Sequence, residues 1–408
     1  MSASTAAALR RRQWRPALTA IVAGGLAGLV AILTYQVMML LQHLIWETAA
    51  PEDGVGPVRI VVTILTGGAL LLLLARVGPS ESVDEMLGDS DRPLQRSSRK
   101  ILITALVAIV SIAFGGAIGP EAGLLAVVAE CSVIVSRFVA RDEAQARAIA
   151  QAGVAGALSG LYGSPPAAAA LDADGESLAP SRLMSFVAGI SGFVVFLFVA
   201  RTVFGGNGMA DIPLPDARAG EAWLVIIPVL IGAAFGVVFR LLHHGADRVA
   251  HRIARPWLVT IIGTALFAGL AAAIPLVRFS GHHELLELPV MLAEGATGEL
   301  WLLAAAKLLA MVLCLVAGWR GGEVFPLIFI GAAAGAGTAL LLPAMDPAAA
   351  VAGAMAATLA VGWRRPLAAL LVLVLVVDVS AVLPLVVGVG VGIALDRLVF
   401  PQQPADAH

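Results

Sequence analysis

The chain has 408 residues, 59% hydrophobic and 13% charged, with a formal net charge of −2 and a mean hydropathy of +0.93. Soluble domains carry about 25% charged residues, and transmembrane barrels read as short alternating segments rather than continuous apolar runs. Both are excluded, and the small net charge says little about partners, with no nucleic-acid partner expected.

The first apolar stretch, Pro16–Trp46, has no Asp, Glu, Lys or Arg and follows Arg10, Arg11, Arg12 and Arg15. Basic residues stay on the cytoplasmic side, so the N-terminus is expected there. The stretch is too long for a signal-peptide core and no small-residue cleavage site follows it, so it reads as a mature helix. Leu183–Ala200, Pro256–Val277 and Val379–Leu395 are likewise uncharged, each near or above the roughly 20 residues that cross a bilayer. Apolar continuity predicts long helices over 17–48, 57–77, 99–117, 181–204, 222–246, 256–278, 298–317 and 380–398. Shorter ones begin near Ser80, Glu121, Gln145, Pro165, Glu323, Pro347 and Pro366. The expected fold is an all-α, multi-pass protein of the cell membrane with several broken helices.

The most informative of these starts is Gly115-Gly116-Ala117-Ile118-Gly119-Pro120-Glu121-Ala122-Gly123-Leu124, which sets a carboxylate inside an apolar stretch. A charge at the bilayer centre costs about 2.5–3.5 kcal/mol even on insertion scales, so such a residue points to an ion pathway. Proline opens a helix because its missing N–H would be orphaned there anyway. The free N–H groups of the next residues then form an anion site. Ionised Glu121 occupies that site; protonation or a competing anion releases it.

Landmarks recur about 200 residues apart. Val154-Ala155-Gly156-Ala157 before Gly163-Ser164-Pro165-Pro166 is echoed by Val351-Ala352-Gly353-Ala354 before Arg364-Arg365-Pro366-Leu367. Gly24 and Gly28 match Gly232 and Gly236 in a small-xxx-small pattern that allows close helix contact. Gly115-Gly116 before Pro120 matches Gly321-Gly322 before Pro326. The expected organisation is an N-terminal segment 1–15, a first half 16–204, a linker 205–221, a second half 222–398 and a tail 399–408. An inverted duplication with interrupted helices is typical of transporters whose site lies near the midplane.

These residues resemble the CLC chloride channels and proton-coupled chloride antiporters, over nearly the whole chain. Gly119-Pro120-Glu121-Ala122-Gly123 resembles the family's G-[KR]-E-G-P, whose Glu is a gate and, in antiporters, a proton carrier. Gly318-Trp319-Arg320-Gly321-Gly322-Glu323-Val324-Phe325-Pro326 resembles G-x-x-G-G-x-F-x-P, whose backbone amides contact the anion. The Gly156 to Pro166 stretch resembles the A-A-x-N-A-P-L segment, and Gly362–Pro384 the late R-A-P-L and L-P pair. The resemblance implies transport of chloride or a similar small anion, gated by Glu121 with Gly119, Pro120 and Ala122, and with amides of Val324 and Phe325 as ligands. It also implies a homodimer with one pathway per subunit and no cofactor.

The departures bear on mechanism. Pro120 replaces a basic residue and cannot donate a hydrogen bond, and Gly123 replaces a proline. The family's G-S-G-I-P is here only Gly78-Pro79-Ser80-Glu81-Ser82, so the pathway serine maps to Ser80, with Ser82 as fallback. The tyrosine of the family's final helix has no counterpart; only Tyr35 and Tyr162 exist, and a more open inner vestibule is expected. The inner proton glutamate maps onto Gly175, between Asp174 and Glu176, which are the candidate relay. Coupled antiport and a passive anion channel both stay open.

Other polar residues have plainer readings. Lys307 and Arg320 flank an apolar helix and read as snorkelling or paired, Arg320 with Glu323. Glu323, before the second anion motif, is a candidate for selectivity or a further proton site. Cys131 and Cys314 lie in apolar helices, and the histidines lack H-E-x-x-H spacing, so no metal is expected. The rival function is an intramembrane serine hydrolase built on Ala157-Leu158-Ser159-Gly160, a weak match that small-residue helices readily produce.

Overall fold

The computed structural model describes residues 3–47, 55–88, 97–171, 179–206, 212, 214–217, 220–377 and 381–400. Sixteen α-helices fill them in chain order: α1 Ala3–Trp46, α2 Pro57–Val77, α3 Val83–Gly88, α4 Ser98–Ala113, α5 Glu121–Val139, α6 Glu143–Tyr162, α7 Pro165–Leu171 and α8 Ala179–Val203. Then come α9 Ile226–Arg252, α10 Pro256–Ala273, α11 Leu288–Ala293, α12 Thr297–Val316, α13 Val324–Leu341, α14 Pro347–Trp363, α15 Pro366–Val376 and α16 Val382–Val399. Three 3-10 turns, Ala222–Val225, Pro275–Val277 and Glu284–Glu287, complete the set. Among the described residues, nine helical segments are long and apolar enough to cross a membrane.

The order of elements repeats: α9 to α16 follow one another as α1 to α8 do, at an offset of about 200 residues. Helix ends repeat as well. An aspartate caps α6 and α14 alike, Asp142 accepting from the Gln145 N–H at 2.7 Å and Asp346 from the Ala348 N–H at 3.1 Å. Such a cap satisfies a backbone donor that the helix itself cannot. Both helices end on a left-handed residue, Gly163 (φ 65°) and Arg364 (φ 59°), ahead of the prolines that start α7 and α15.

Backbone conformation corrects one sequence match. Gly115 and Gly318 each stand two residues past a helix end, after α4 and α12, and both have φ 88°. This left-handed angle strains any other residue type. Gly115 therefore corresponds to Gly318, Gly119 to Gly322 and Glu121 to Val324; the pairing of Gly115-Gly116 with Gly321-Gly322 is out of register. Two similar Gly-Gly dipeptides misled the alignment, whereas helix ends fix it.

The described residues divide into two compact units, one within Met1–His43, Leu73–Val110 and Pro120–Met209, the other within Leu44–Leu72, Ser111–Gly119 and Ala210–His408. In the first unit, a methyl group on Gly24 of α1 would come within 2.2 Å of the Ala188 carbonyl oxygen of α8. One on Gly28 would meet the Gly192 carbonyl oxygen at 2.2 Å, and one on Gly156 of α6 the Gly24 carbonyl oxygen at 2.4 Å. The second unit repeats the device, with Gly232 of α9 against the Ala354 carbonyl of α14 and Gly388 of α16 against that of Gly353, both at 2.4 Å. Lipid gives no hydrophobic drive between helices, so backbone approach through small residues supplies the dispersion contact.

Candidate functional site

In the first unit, α5 begins where the sequence predicts. Pro120 has helical angles (φ −75°, ψ −2°) but occupies the N-cap, so Glu121 and not proline is the first helical residue. Its side chain is fully buried, as is that of Ala122. The amides of this first turn lack intrahelical acceptors, and a helix N-terminus carries partial positive charge. Farther along α5, Glu130 is half-buried, with one carboxylate oxygen enclosed and without a hydrogen bond among the described residues. The sequence reading overlooked this second intramembrane carboxylate, although nothing but apolar and small residues surrounds it in the sequence.

Helix α3 starts at Val83 rather than near Ser80. Ser82 and Glu85 cap it reciprocally: the Ser82 N–H donates to the Glu85 carboxylate at 2.7 Å, and the Glu85 N–H to the Ser82 hydroxyl oxygen at 3.2 Å. Glu81, buried just ahead of Ser82, pairs with Lys100 at 3.1 Å, and its N–H donates to the Thr104 hydroxyl at 2.8 Å. The hydroxyl of Ser82 thus accepts from the helix end.

The second unit contains the segment that leads toward Glu121 and the start of α13. Gly119 and Gly322 exchange two backbone hydrogen bonds, N···O 2.8 and 2.9 Å. A methyl group on Gly321 would lie 2.6 Å from Ile118 Cβ and 2.7 Å from the Gly119 carbonyl oxygen. Around this bridge, Gly116 N–H donates to the Ser111 carbonyl (2.8 Å), Ala117 N–H to Cys314 Sγ (3.4 Å) and Arg320 N–H to Ser111 Oγ (3.0 Å). The fully buried Trp319 donates its indole N–H to Thr264 Oγ1 at 3.1 Å. Glu323 is the N-cap of α13, and Val324, Phe325 and Pro326 form its buried first turn.

Lys307 corrects the snorkelling assignment. It is fully buried, and its ammonium donates to the carbonyls of Val277, Arg278 and Phe279 at 3.2, 2.9 and 2.8 Å. At mid-helix and sealed from solvent, the ammonium is satisfied by these backbone oxygens. Those carbonyls belong to a turn in which Phe279 has φ 58° and donates its N–H to the Gly115 carbonyl at 3.1 Å. The Trp46 ring meets Phe279 edge-on at 5.4 Å while its indole N–H donates to the Ala113 carbonyl at 3.0 Å. The same turn carries His282, nine-tenths buried, whose ring meets Phe325 at 5.0 Å and 73°. Burial, with His283 beside it, pushes the imidazole down to about 4.

Within the second unit the fold therefore brings together Gly119, Glu323, Val324 and Phe325 from the sequence reading, and adds Lys307 and His282. A lysine in an apolar run was a visible signal; His282 was not, because only folding sets it against α13. Asp174 and Glu176 lie outside the described residues. Ser159 is fully buried in α6, its hydroxyl lies 2.5 Å from where a methyl on Gly189 would sit, and it makes no hydrogen bond among the described residues. No base addresses it there, as a nucleophile requires.

Residues 66–397 match the family model described as voltage gated chloride channel. The ion-transport protein YfeO of Salmonella schwarzengrund (strain CVM19633) is 28% identical over 340 residues, which cover 78% of this chain and 79% of that protein. The protein of the same name from Salmonella paratyphi A (strain ATCC 9150 / SARB42) is 27% identical over the same length. Two solved structures share the fold. A slow cyanobacterial Cl−/H+ antiporter superposes with a TM-score of 0.77 at 17% identity, covering 95% of both chains. A CLC-type fluoride/proton antiporter gives 0.70 at 18% identity, covering 95% of this chain and 96% of its own. With a family model that spans most of its length, and the helix order to go with it, this chain belongs to the voltage-gated chloride channel family, CLC.

Proposed function

We propose that this protein carries chloride or a similar small anion across the cell membrane, with Glu121 as the gate. One observation carries the reading: Glu121 is fully buried and is the first residue of a helix that starts inside an apolar stretch. A carboxylate there occupies the position that backbone N–H groups offer to an anion, so the two compete. Protonation removes the competitor, which links anion binding to proton binding. Gly119, Pro120 and Ala122 shape that start; the amides of Val324 and Phe325 serve as second ligands, Ser80 lines the pathway and Glu323 tunes selectivity.

Proton coupling requires an inner relay, for which Asp174 and Glu176 are the candidates. The protein works as a homodimer with one pathway per subunit and a cytoplasmic N-terminus, the orientation favoured by Arg10, Arg11, Arg12 and Arg15. It acts as a transporter rather than an enzyme; the buried, unaddressed hydroxyl of Ser159 disfavours the hydrolase reading.

The test is chloride efflux from proteoliposomes down a chloride gradient, with external pH followed in weak buffer. Chloride movement that drives protons uphill identifies an antiporter and directs attention to Asp174 and Glu176. Chloride flux without proton movement identifies a channel. If neither chloride nor fluoride moves, the proposal fails.

A further inference from the structure

We propose that Glu130 is a proton-carrying residue of the transport cycle, the step between cytoplasmic water and the gate at Glu121. The inference rests on the transport reading above, in its proton-coupled form, and extends it to a carboxylate that no motif marks.

Its position along α5 is the first support. Every residue from Glu121 to Ala126 is buried, whereas Ile134, Arg137 and Phe138 nearer the far end are exposed. Glu130 stands where the helix passes from one condition to the other. It is half-buried, with Oε2 enclosed and without a hydrogen bond among the described residues. Arg137, Arg141 and Arg147 surround the turn from α5 into α6. Basic residues stay on the cytoplasmic side, so the order from gate to cytoplasm is Glu121, Glu130, Arg137.

The surroundings are the second. A helix returns to nearly the same face after seven residues, so Glu130 shares the face of Gly123. A methyl group on Gly123 would meet Met38 of α1 and, at 3.4 Å, Ala108 Cβ of α4. The face toward α6 is a different one, carried by Val128 and Ser132, which a methyl on Gly153 would meet at 3.3 and 2.6 Å. Titratable and charged groups on the packed helices are few. Ala17–Trp46 of α1 holds Tyr35 and His43, and α3 holds Asp84 and Glu85. In α4 there are Arg99 and Lys100, in α6 Glu143, Arg147 and Tyr162, and on α5 itself Cys131 adjoins Glu130. Lys100 is already paired with Glu81 at 3.1 Å. A carboxylate in an apolar span, with no ion pair among the described residues, points to a proton path.

The chemistry is proton transfer with no redox change. A proton from a cytoplasmic hydronium ion adds to the Glu130 carboxylate, and the resulting acid then gives it up toward Glu121. Nine residues separate the two carboxylates by about 13.5 Å along the axis and place them on opposite sides of the helix. That is too far for direct transfer, so water carries the proton between them. Its arrival neutralises the Glu121 carboxylate, which no longer competes with the anion.

The experiment records chloride and proton movement together in proteoliposomes of the full chain. In Glu130→Gln the ratio of protons to chloride moved should fall at least about tenfold, and Glu130→Asp, which keeps the acid, should restore most of it. A merely structural defect lowers both fluxes alike and leaves the ratio where it was. An unchanged ratio in Glu130→Gln, or no recovery in Glu130→Asp, overturns the proposal. A readout on the unsubstituted protein stands beside these in case a variant does not fold. Dicyclohexylcarbodiimide adds to protonated carboxyls in apolar surroundings, and peptide mass spectrometry should find Glu130 labelled more in acid than in alkaline buffer. Absence of that label overturns the proposal as well. Chloride flux without proton movement in the unsubstituted protein overturns this proposal and leaves anion transport standing, whereas absence of any anion flux overturns both.

Discussion

Gly119 and Gly322 are joined by two reciprocal backbone hydrogen bonds of 2.8 and 2.9 Å, an isolated antiparallel bridge among helices. Each stands two residues before a helix start, Glu121 of α5 and Val324 of α13. At the adjacent Gly321 an added methyl would lie 2.6 Å from Ile118 Cβ. The bridge joins the backbone just ahead of α13 to Gly119 without any charged group.

Gly321→Ala should therefore destabilise the protein by about 2 kcal/mol, the usual cost of overpacking, and slow anion flux. Gly298→Ala is the control, since nothing lies within 4 Å of the added methyl. Thermal unfolding of both variants in detergent checks this; equal melting temperatures would show that the bridge tolerates a methyl.

Glu121→Gln should abolish chloride-driven proton movement and flatten the pH dependence of anion flux. Gln keeps the size but cannot ionise, so it neither carries a proton nor competes as an anion. Simultaneous chloride and pH recording in proteoliposomes reads both quantities. A variant with the full pH profile of the unsubstituted protein would remove Glu121 from the gate.

Lys307→Met should cost about 3 kcal/mol, because carbonyls of Val277, Arg278 and Phe279 lose their shared donor in a dry interior. Lys307→Arg, which keeps donors but is bulkier, should lose less. Melting temperatures that rank Met above Arg would contradict the clamp.

Arg364 and Gly163 end equivalent helices in the same left-handed conformation. Arg364→Gly should raise stability by about 1 kcal/mol, and Gly163→Ala should lower it by a similar amount. Paired melting curves decide, and a loss of stability in Arg364→Gly would mean that the Arg364 side chain contributes more than its backbone strain costs.

By itself the sequence determined the membrane setting, the helix starts at Glu121, Pro165, Pro347 and Pro366, the small-residue stripes of Gly24, Gly28, Gly232 and Gly236, and family membership through ordered motifs. These are local properties: apolar length, helix breakers and spacing leave their mark in one dimension. Tertiary structure decided the register of the repeat, because Gly115 and Gly318 are matched by a φ angle and not by a dipeptide. It also decided that Lys307 is a buried clamp and that Ser82 is a helix cap. His282 beside Phe325 and Gly119 paired with Gly322 join residues far apart in the chain, and only packing of the whole unit brings such groups within bonding distance.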